Sequence, residues 1–285
     1  MHTRPSVDPF PARPISARLL EAGYPGLDLP DVSGRVQPGF LRGRCPTHGY
    51  QRGWGLEFGG LADKIAGHPL YREALLASEA RSVMHPHRMM NIFMIIACHF
   101  DQIADHHIVE FGSYRGGSAL FMAHLLKRLW PEASLWSHDT FSGMPQTDNM
   151  SDLHTRGDFY EADLAGFRRI RAEAGLDALQ IRPGLVQDTF PDPAQQGLRF
   201  GLAHFDMDIY EPTLMAQQAA WDLMTPGGYY VYDDATVSSC IGATQAVEEL
   251  IRSRELHSEQ VYPHFVFRVG VPSAAPETRS DAGED

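Results

Sequence analysis

From residue 105 onward the sequence alternates short apolar runs with longer stretches of helical spacing, and this alternation restricts the chain to few architectures. "HIVEFG" (107–112), "SLWSHDTF" (134–141), "LQIRPG" (179–184), "RFGLAHFDMD" (199–208) and "GGYYVYDD" (227–234) read as strands. "GGSALFMAHLLKRLW" (116–130), "EADLAGFRRIRAEAG" (161–175), "PTLMAQQAAWDLM" (212–224) and "ATQAVEELIRSREL" (243–256) carry the helical period between them. "EQVYPHFVFRVG" (259–270) reads as two short strands forming a hairpin. Strands separated by helices join through crossovers, which predicts an α/β fold: a mostly parallel sheet with helices on both faces. Ligands of such sheets sit beyond the carboxyl ends of the strands.

Upstream, residues 1–16 carry four prolines and little periodicity, which predicts a mobile arm. The pattern over 17–68 is broken by Gly and Pro. "PLYREALLASEA" (69–80) has helical spacing and "HRMMNIFMIIACHFDQIA" (87–104) reads as a buried helix. The polar stretch 272–285 is expected to be disordered. The chain thus divides into an N-terminal helical extension (1–68), a main domain (69–271) and a tail (272–285). Its net charge of -12 argues against binding a phosphate backbone. No apolar run approaches the roughly 20 residues of a membrane helix, and the N-terminus has no apolar signal-peptide core. Three widely spaced cysteines, Cys45, Cys98 and Cys240, point to free thiols in a reducing cytoplasm. Cys45 lies near His48, but two ligands do not make a zinc site.

"VEFGSYRGGSA" (109–119) joins the first strand to a helix. Gly112 permits a tight turn, and Gly116 and Gly117 would let an anionic ligand group approach the backbone at the helix start. The G-x-x-x-G-G spacing departs from the dinucleotide fingerprint. Glu110 ends its strand where a carboxylate can meet an amine. Asp139 ends the next strand, where it can accept from ribose hydroxyls. S-adenosylmethionine carries a carboxylate, an ammonium and a ribose together; NAD lacks the amino-acid end.

Four aspartates, Asp206, Asp208, Asp233 and Asp234, fall at the ends of two further strands. Burying carboxylates together is costly unless a cation neutralises them. Residues two apart on a strand point the same way, so Asp206 and Asp208 are expected to face one cavity that Asp233 and Asp234 also reach. Helix capping accounts for Asp208 but not for all four. An all-oxygen set suits a hard cation, Mg²⁺ first, with Mn²⁺ and Ca²⁺ not separable from it. Such an ion makes a hydroxyl more acidic, and a neighbouring carboxylate can take its proton. Sequence chemistry leaves open which aspartate is the free one.

The motifs "VEFGSYRGGSA", "DTFSGMP", "DMDIYEPT" and "GGYYVYDD", in this order, resemble the macrocin O-methyltransferase family, over about residues 87–265. The resemblance implies a Rossmann-like class I methyltransferase with a seven-stranded sheet of order 3-2-1-4-5-7-6. It implies S-adenosylmethionine as methyl donor and a sugar hydroxyl as acceptor, in natural-product or glycan assembly. It assigns Asp206, Asp233 and Asp234 to the metal and Asp208 to the base, with Asp206 also beside the cofactor. A looser similarity to catechol O-methyltransferases, through "GLVQDTFP" (184–191), puts Gln187 and Asp188 near adenine and Tyr114 and Ser118 near the methionine end. The expected partner is a small hydroxylated acceptor, not nucleic acid or membrane, and the expected assembly is a homo-oligomer.

Tyr50, Trp54 and Phe58 are candidates for walling the acceptor. The polar stretch 143–163 reads equally as a solvated loop or as a lid, and its His154 reads as an exposed loop residue. "HPHR" (85–88) and "HH" (106–107) read as helix-end and surface residues. Three other functions compete. They are catechol or phenol methylation, an iron-dependent hydroxylase, for which His204 is the one histidine at these strand ends, and a non-catalytic module of the same fold.

Overall fold

The structure, a computed structural model, describes residues 16–32, 42–79, 81–148 and 150–269. The expected arm before Ser16 and the tail from 272 lie outside the described residues.

The first helices are α1 (Ala17–Glu21), α2 (Pro46–Glu57), α3 (Leu61–Gly67), α4 (Pro69–Ala77) and α5 (Pro86–Met94). Pro46, Pro69 and Pro86 each stand at the start of a helix, where the missing N–H costs nothing. The predicted long helix 87–104 is α5 followed by a π turn (Ile95–His99) and a 3-10 turn (Phe100–Gln102). The alternating part follows: β1 (His107–Phe111), α6 (Gly117–Leu129), β2 (Leu135–Asp139), α7 (Leu164–Glu173), β3 (Leu179–Pro183), α8 (Val186–Thr189) and α9 (Pro191–Gln195). It closes with β4 (Phe200–Phe205), α10 (Tyr210–Trp221), β5 (Met224–Tyr232), α11 (Ile241–Arg254) and β6 (Phe265–Val269).

The sheet order is β3-β2-β1-β4-β5-β6. Strands β1 to β5 pair in parallel, and β6 runs antiparallel to β5. The expected seven strands are therefore six among the described residues. Of the predicted closing hairpin only β6 forms. Its upstream half is a single bridge between Gln260 and Val266. Pro263, which has no N–H to give a ladder, lies within the bends that follow.

Alternation along each strand feeds two cores. Ile108 packs with Phe93, Phe121 and Leu202 on one face. Val109 and Phe111 pack with Phe205, Ala216 and Tyr230 on the other. Leu19, Leu56, Leu61 and Ile65 are buried in the first core, so the described part of the N-terminal extension is built into the main domain. Fully burying one such side chain is worth about 1.5–3 kcal/mol, enough to hold these short helices in place.

Candidate active site

The carboxyl ends of β1, β2, β4 and β5 open into one cleft of about 560 Å³, a volume in the range of small-molecule sites. Its walls include Gly112, Tyr114, Asp139, Gln187, Asp206, Asp208, Asp233 and Asp234. Eight of the sequence-predicted residues thus meet in one place.

The turn after β1 shows why glycine is needed at its start. Gly112 has φ +87°, and a Cβ there would stand 1.7 Å from the carbonyl oxygen of Asp206. The next strand end can therefore come close beside it, and the Asp206 amide donates to the Phe111 carbonyl at 2.8 Å. Asp139 closes the turn. One of its oxygens accepts from the amides of Ser113 (2.7 Å) and Tyr114 (2.8 Å), the other from Phe141 (2.6 Å). Burial still pushes the Asp139 carboxyl up, against the pull of those three amides.

Several expected cofactor residues lie elsewhere. Glu110 is fully buried behind the turn. Its carboxylate accepts from Ser113 (2.9 Å) and Ser137 (3.2 Å) and faces His204 Nδ1 at 3.3 Å. It does not line the cleft; Asp206, the carboxylate beside Gly112, does. Gly116 and Gly117 are glycines for packing. A Cβ at Gly116 would meet the Phe167 ring at 2.4 Å, and one at Gly117 would meet the Ser82 backbone at 2.2 Å. Ser118 is buried in α6 and Asp188 is exposed on α8; neither lines the cleft. Tyr50, Trp54 and Phe58 form a ring ladder along α2, with centroids 5.5 and 6.3 Å apart, and are not among the cleft walls.

The four aspartates converge, but not by strand alternation. β4 ends at Phe205 and β5 at Tyr232, so all four stand in the turns beyond. Asp208 adopts φ +62°, and its amide donates to Asp234 Oδ2 at 2.9 Å. One carboxylate oxygen from each of Asp206, Asp233 and Asp234 lies within 4.8 Å of the others. Burial first, then the neighbouring carboxylates, pushes Asp206 and Asp234 well above the usual carboxylate range. Burial also raises Asp208. Burial would raise Asp233 too, but His264 and Arg88 hold it below its ordinary value. His264 Nε2 lies 2.9 Å from Asp233 Oδ1, and Arg88 forms an ion pair with Oδ2.

Three crowded carboxylates, two of them with proton affinity raised by burial and by their neighbours, are a donor set that fits a hard divalent cation. Arg88 offsets part of the charge and lies within the predicted "HPHR" stretch, so that stretch is not a plain surface segment. Sequence reasoning missed Arg88 and His264, which are distant in the chain and carry no spacing signal.

His204, Asp233 and His264 also lie within 4.8 Å of one another, the donor types of an iron site. They do not make an oxygen-activating centre. Both histidines are fully buried and off the cleft walls, so no open position faces a substrate. His264 is occupied by Asn91 at 3.1 Å and by Asp233. At the other end of the cleft His138 bonds Thr189 Oγ1 at 2.8 Å, and burial pushes it down to about 3, so it is neutral.

The fold is that of the class I methyltransferases. The structure is similar to a calicheamicin methyltransferase (TM-score 0.53, 19% identity, covering 85% of this chain and 97% of that one). It is also similar to the O-methyltransferase NovP (TM-score 0.50, 22% identity, 59% and 72%). Residues 76–261 match the macrocin-O-methyltransferase (TylF) family, and the chain belongs to that family. It is 32% identical over 143 residues to 8-demethyl-8-(2,3-dimethoxy-alpha-L-rhamnosyl)-tetracenomycin-C 4'-O-methyltransferase of Streptomyces olivaceus, covering 47% of this chain and 54% of the relative. It is 27% identical over 166 residues to mycinamicin III 3''-O-methyltransferase of Micromonospora griseorubida, covering 54% and 63%. The chain thus spans somewhat over half the length of these relatives. No helix among the described residues is long and apolar enough to cross a membrane.

Proposed function

We propose that this protein moves the methyl group of S-adenosylmethionine to a sugar hydroxyl of a natural product, with a hard divalent cation held by Asp206, Asp233 and Asp234. The observation that carries the reading is the convergence of four aspartates on one cleft wall beside the Gly112 turn. Family membership supports the donor, and the rhamnosyl acceptor in the name of the Streptomyces relative supports the acceptor class.

The donor is held along β1, β2 and the β3–α8 turn. Asp139 takes the ribose hydroxyls, Gln187 stands at the adenine end and Tyr114 at the methionine end. Asp206 offers its charge to the ammonium. A bound dication would supply Lewis acidity to the acceptor hydroxyl. Asp208 lies outside the three-ligand set, faces the cleft and has a raised proton affinity, the properties of a proton acceptor for that hydroxyl. Met84, Met144, Phe159 and Met215 add apolar wall for the aglycone of a glycoside. The net charge of -12 fits a small-molecule substrate better than a nucleic acid. A cytoplasmic homo-oligomer is part of the same reading, and three free cysteines fit a reducing compartment.

Transfer of labelled methyl groups to sugar-bearing acceptors, with catechols as controls, tests the reaction. Chelation is expected to abolish transfer and Mg²⁺ to restore it. Asp208→Asn should keep cofactor and Mg²⁺ binding while kcat falls roughly 10²–10⁴-fold. Asp206→Asn should lose metal affinity and recover part of its rate at high Mg²⁺. Rescue of Asp208→Asn alone by Mg²⁺ would exchange the two roles, and full activity in excess chelator would remove the cation from the reaction.

A further inference from the structure

The 143–163 stretch, neutral between loop and lid in sequence, brings His154 against residues from two other turns. His154 Nε2 lies 3.9 Å from Cys240 Sγ and 3.9 Å from Asp208 Oδ1. Cys240 Sγ lies 3.2 Å from the same Asp208 oxygen. The three atoms form a triangle on the cleft wall. Zinc bonds of about 2.3 Å to sulfur and about 2.0 Å to nitrogen or oxygen place neighbouring tetrahedral ligands roughly 3.3–3.6 Å apart. The triangle therefore has nearly the size of one face of a zinc tetrahedron, and all three of its residues line the cleft.

The second observation concerns the histidine's other nitrogen. His154 Nδ1 lies 3.3 Å from Asp158 Oδ2. Asp158 is itself fixed by the Thr155 amide at 3.0 Å and the Thr155 hydroxyl at 3.2 Å. With Nδ1 turned to that carboxylate, Nε2 is the nitrogen that lies beside Cys240 and Asp208. This carboxylate–histidine arrangement is the one that supports metal-bound imidazoles. The donor set of one nitrogen, one sulfur and one oxygen differs in kind from the all-oxygen set a few residues away. Soft thiolate and imidazole ligands select zinc-like cations, whereas carboxylates alone select magnesium-like ones.

We propose that His154, Cys240 and Asp208 form a second cation site, specific for thiophilic divalent ions such as Zn²⁺. The Cys240 proton leaves to solvent as the thiolate binds the ion. Occupancy ties the 143–163 loop to the turn before α11 across the mouth of the cleft. It also withdraws Asp208 from proton transfer, a consequence that rests on the assignment of Asp208 as proton acceptor. Zinc would then inhibit the protein at a site separate from its activating cation.

Co²⁺ serves as the probe, added to the reduced full-length protein in excess Mg²⁺. One equivalent is expected to give a thiolate-to-cobalt charge-transfer band that Zn²⁺ erases. Cys240→Ser should abolish the band. Asp158→Asn alters a partly exposed loop residue that touches no ion, and should weaken Co²⁺ binding roughly 10–100-fold. Absence of the band in the natural protein, or its persistence in Cys240→Ser, overturns the site. A band of the expected kind with turnover unaffected by Zn²⁺ confirms the site and overturns Asp208 as the proton acceptor.

Discussion

Two buried charge clusters lie near opposite ends of β5, and they are built on opposite logic. Below α2, Glu259 sits between Arg52 and Arg268, all three side chains without solvent exposure. Arg52 pairs with Glu259 and also donates to Gln260 at 3.0 Å. Arg268 lies 3.3 Å from Glu259, donates to the Gly227 carbonyl at 2.6 Å and stacks 3.5 Å from the Tyr229 ring centre. Burial would raise the Glu259 carboxyl, but the two guanidinium groups hold it below its usual value. At the carboxyl end, four aspartates gather where Arg88 pairs with Asp233 alone, and two of the others are pushed well above the carboxylate range. A charge cluster made for stability carries its own counterions. One made for binding leaves the charge to be completed by a ligand.

Glu259→Gln should show the largest effect. It leaves two guanidinium groups buried without their carboxylate, and breaking such a pair costs about 3–5 kcal/mol. Urea denaturation at neutral pH measures it. A loss below about 1 kcal/mol, no more than an exposed pair is worth, would erase the distinction between the clusters.

Next in size is the response of the aspartate end to cation. Mg²⁺ at a hundred times its dissociation constant should stabilise the fold by about 2.7 kcal/mol. The sign with pH is fixed by the raised carboxyls of Asp206 and Asp234. Between the ordinary carboxylate value and their raised folded values, the folded state binds more protons than the unfolded one. Metal-free stability from these groups therefore rises as pH falls through that window, and the gain from Mg²⁺ shrinks as protons compete. Thermal melts with and without Mg²⁺ across a pH series follow both trends. A Mg²⁺ gain that grows toward acid would contradict them.

Asp139 lies between the two cases: it stands at the ligand edge, yet three amides satisfy it. Asp139→Ala should weaken binding of S-adenosylhomocysteine by roughly 1.5–3 kcal/mol, the worth of hydrogen bonds to a charged group. Unchanged affinity by calorimetry would make Asp139 purely a clamp on the turn. The smallest effect is expected from Asp234→Asn without metal. Removing one of several repelling charges should leave stability unchanged or raise it by up to about 1 kcal/mol, the order of a single ion-pair term. A clear loss in the metal-free melt would mean that Asp234 is structural after all.

The sheet, its crossovers and the place of the site were legible because strand and helix periods are local, and because ligands gather at strand ends for topological reasons. Gly112, Asp139 and the four aspartates were found that way. Glu110 was placed one layer too far out, since strand-end position does not say whether a side chain faces the cleft or the layer behind it. Gly116 and Gly117 were assigned to a ligand when Phe167 and Ser82 occupy that space. The seventh strand was lost to the bends around Pro263.

By itself the sequence determined the fold class, the family and the excess of carboxylate at two strand ends, because period, spacing and residue type are properties of short stretches. Tertiary structure alone decided which charges are compensated. Arg88 meets Asp233 from 145 residues away, His264 meets it from 31 and Arg52 meets Glu259 from 207. His154 meets Cys240 from 86 residues away. Electrostatic energy depends on separation in space and on the loss of water, and neither is encoded in distance along the chain.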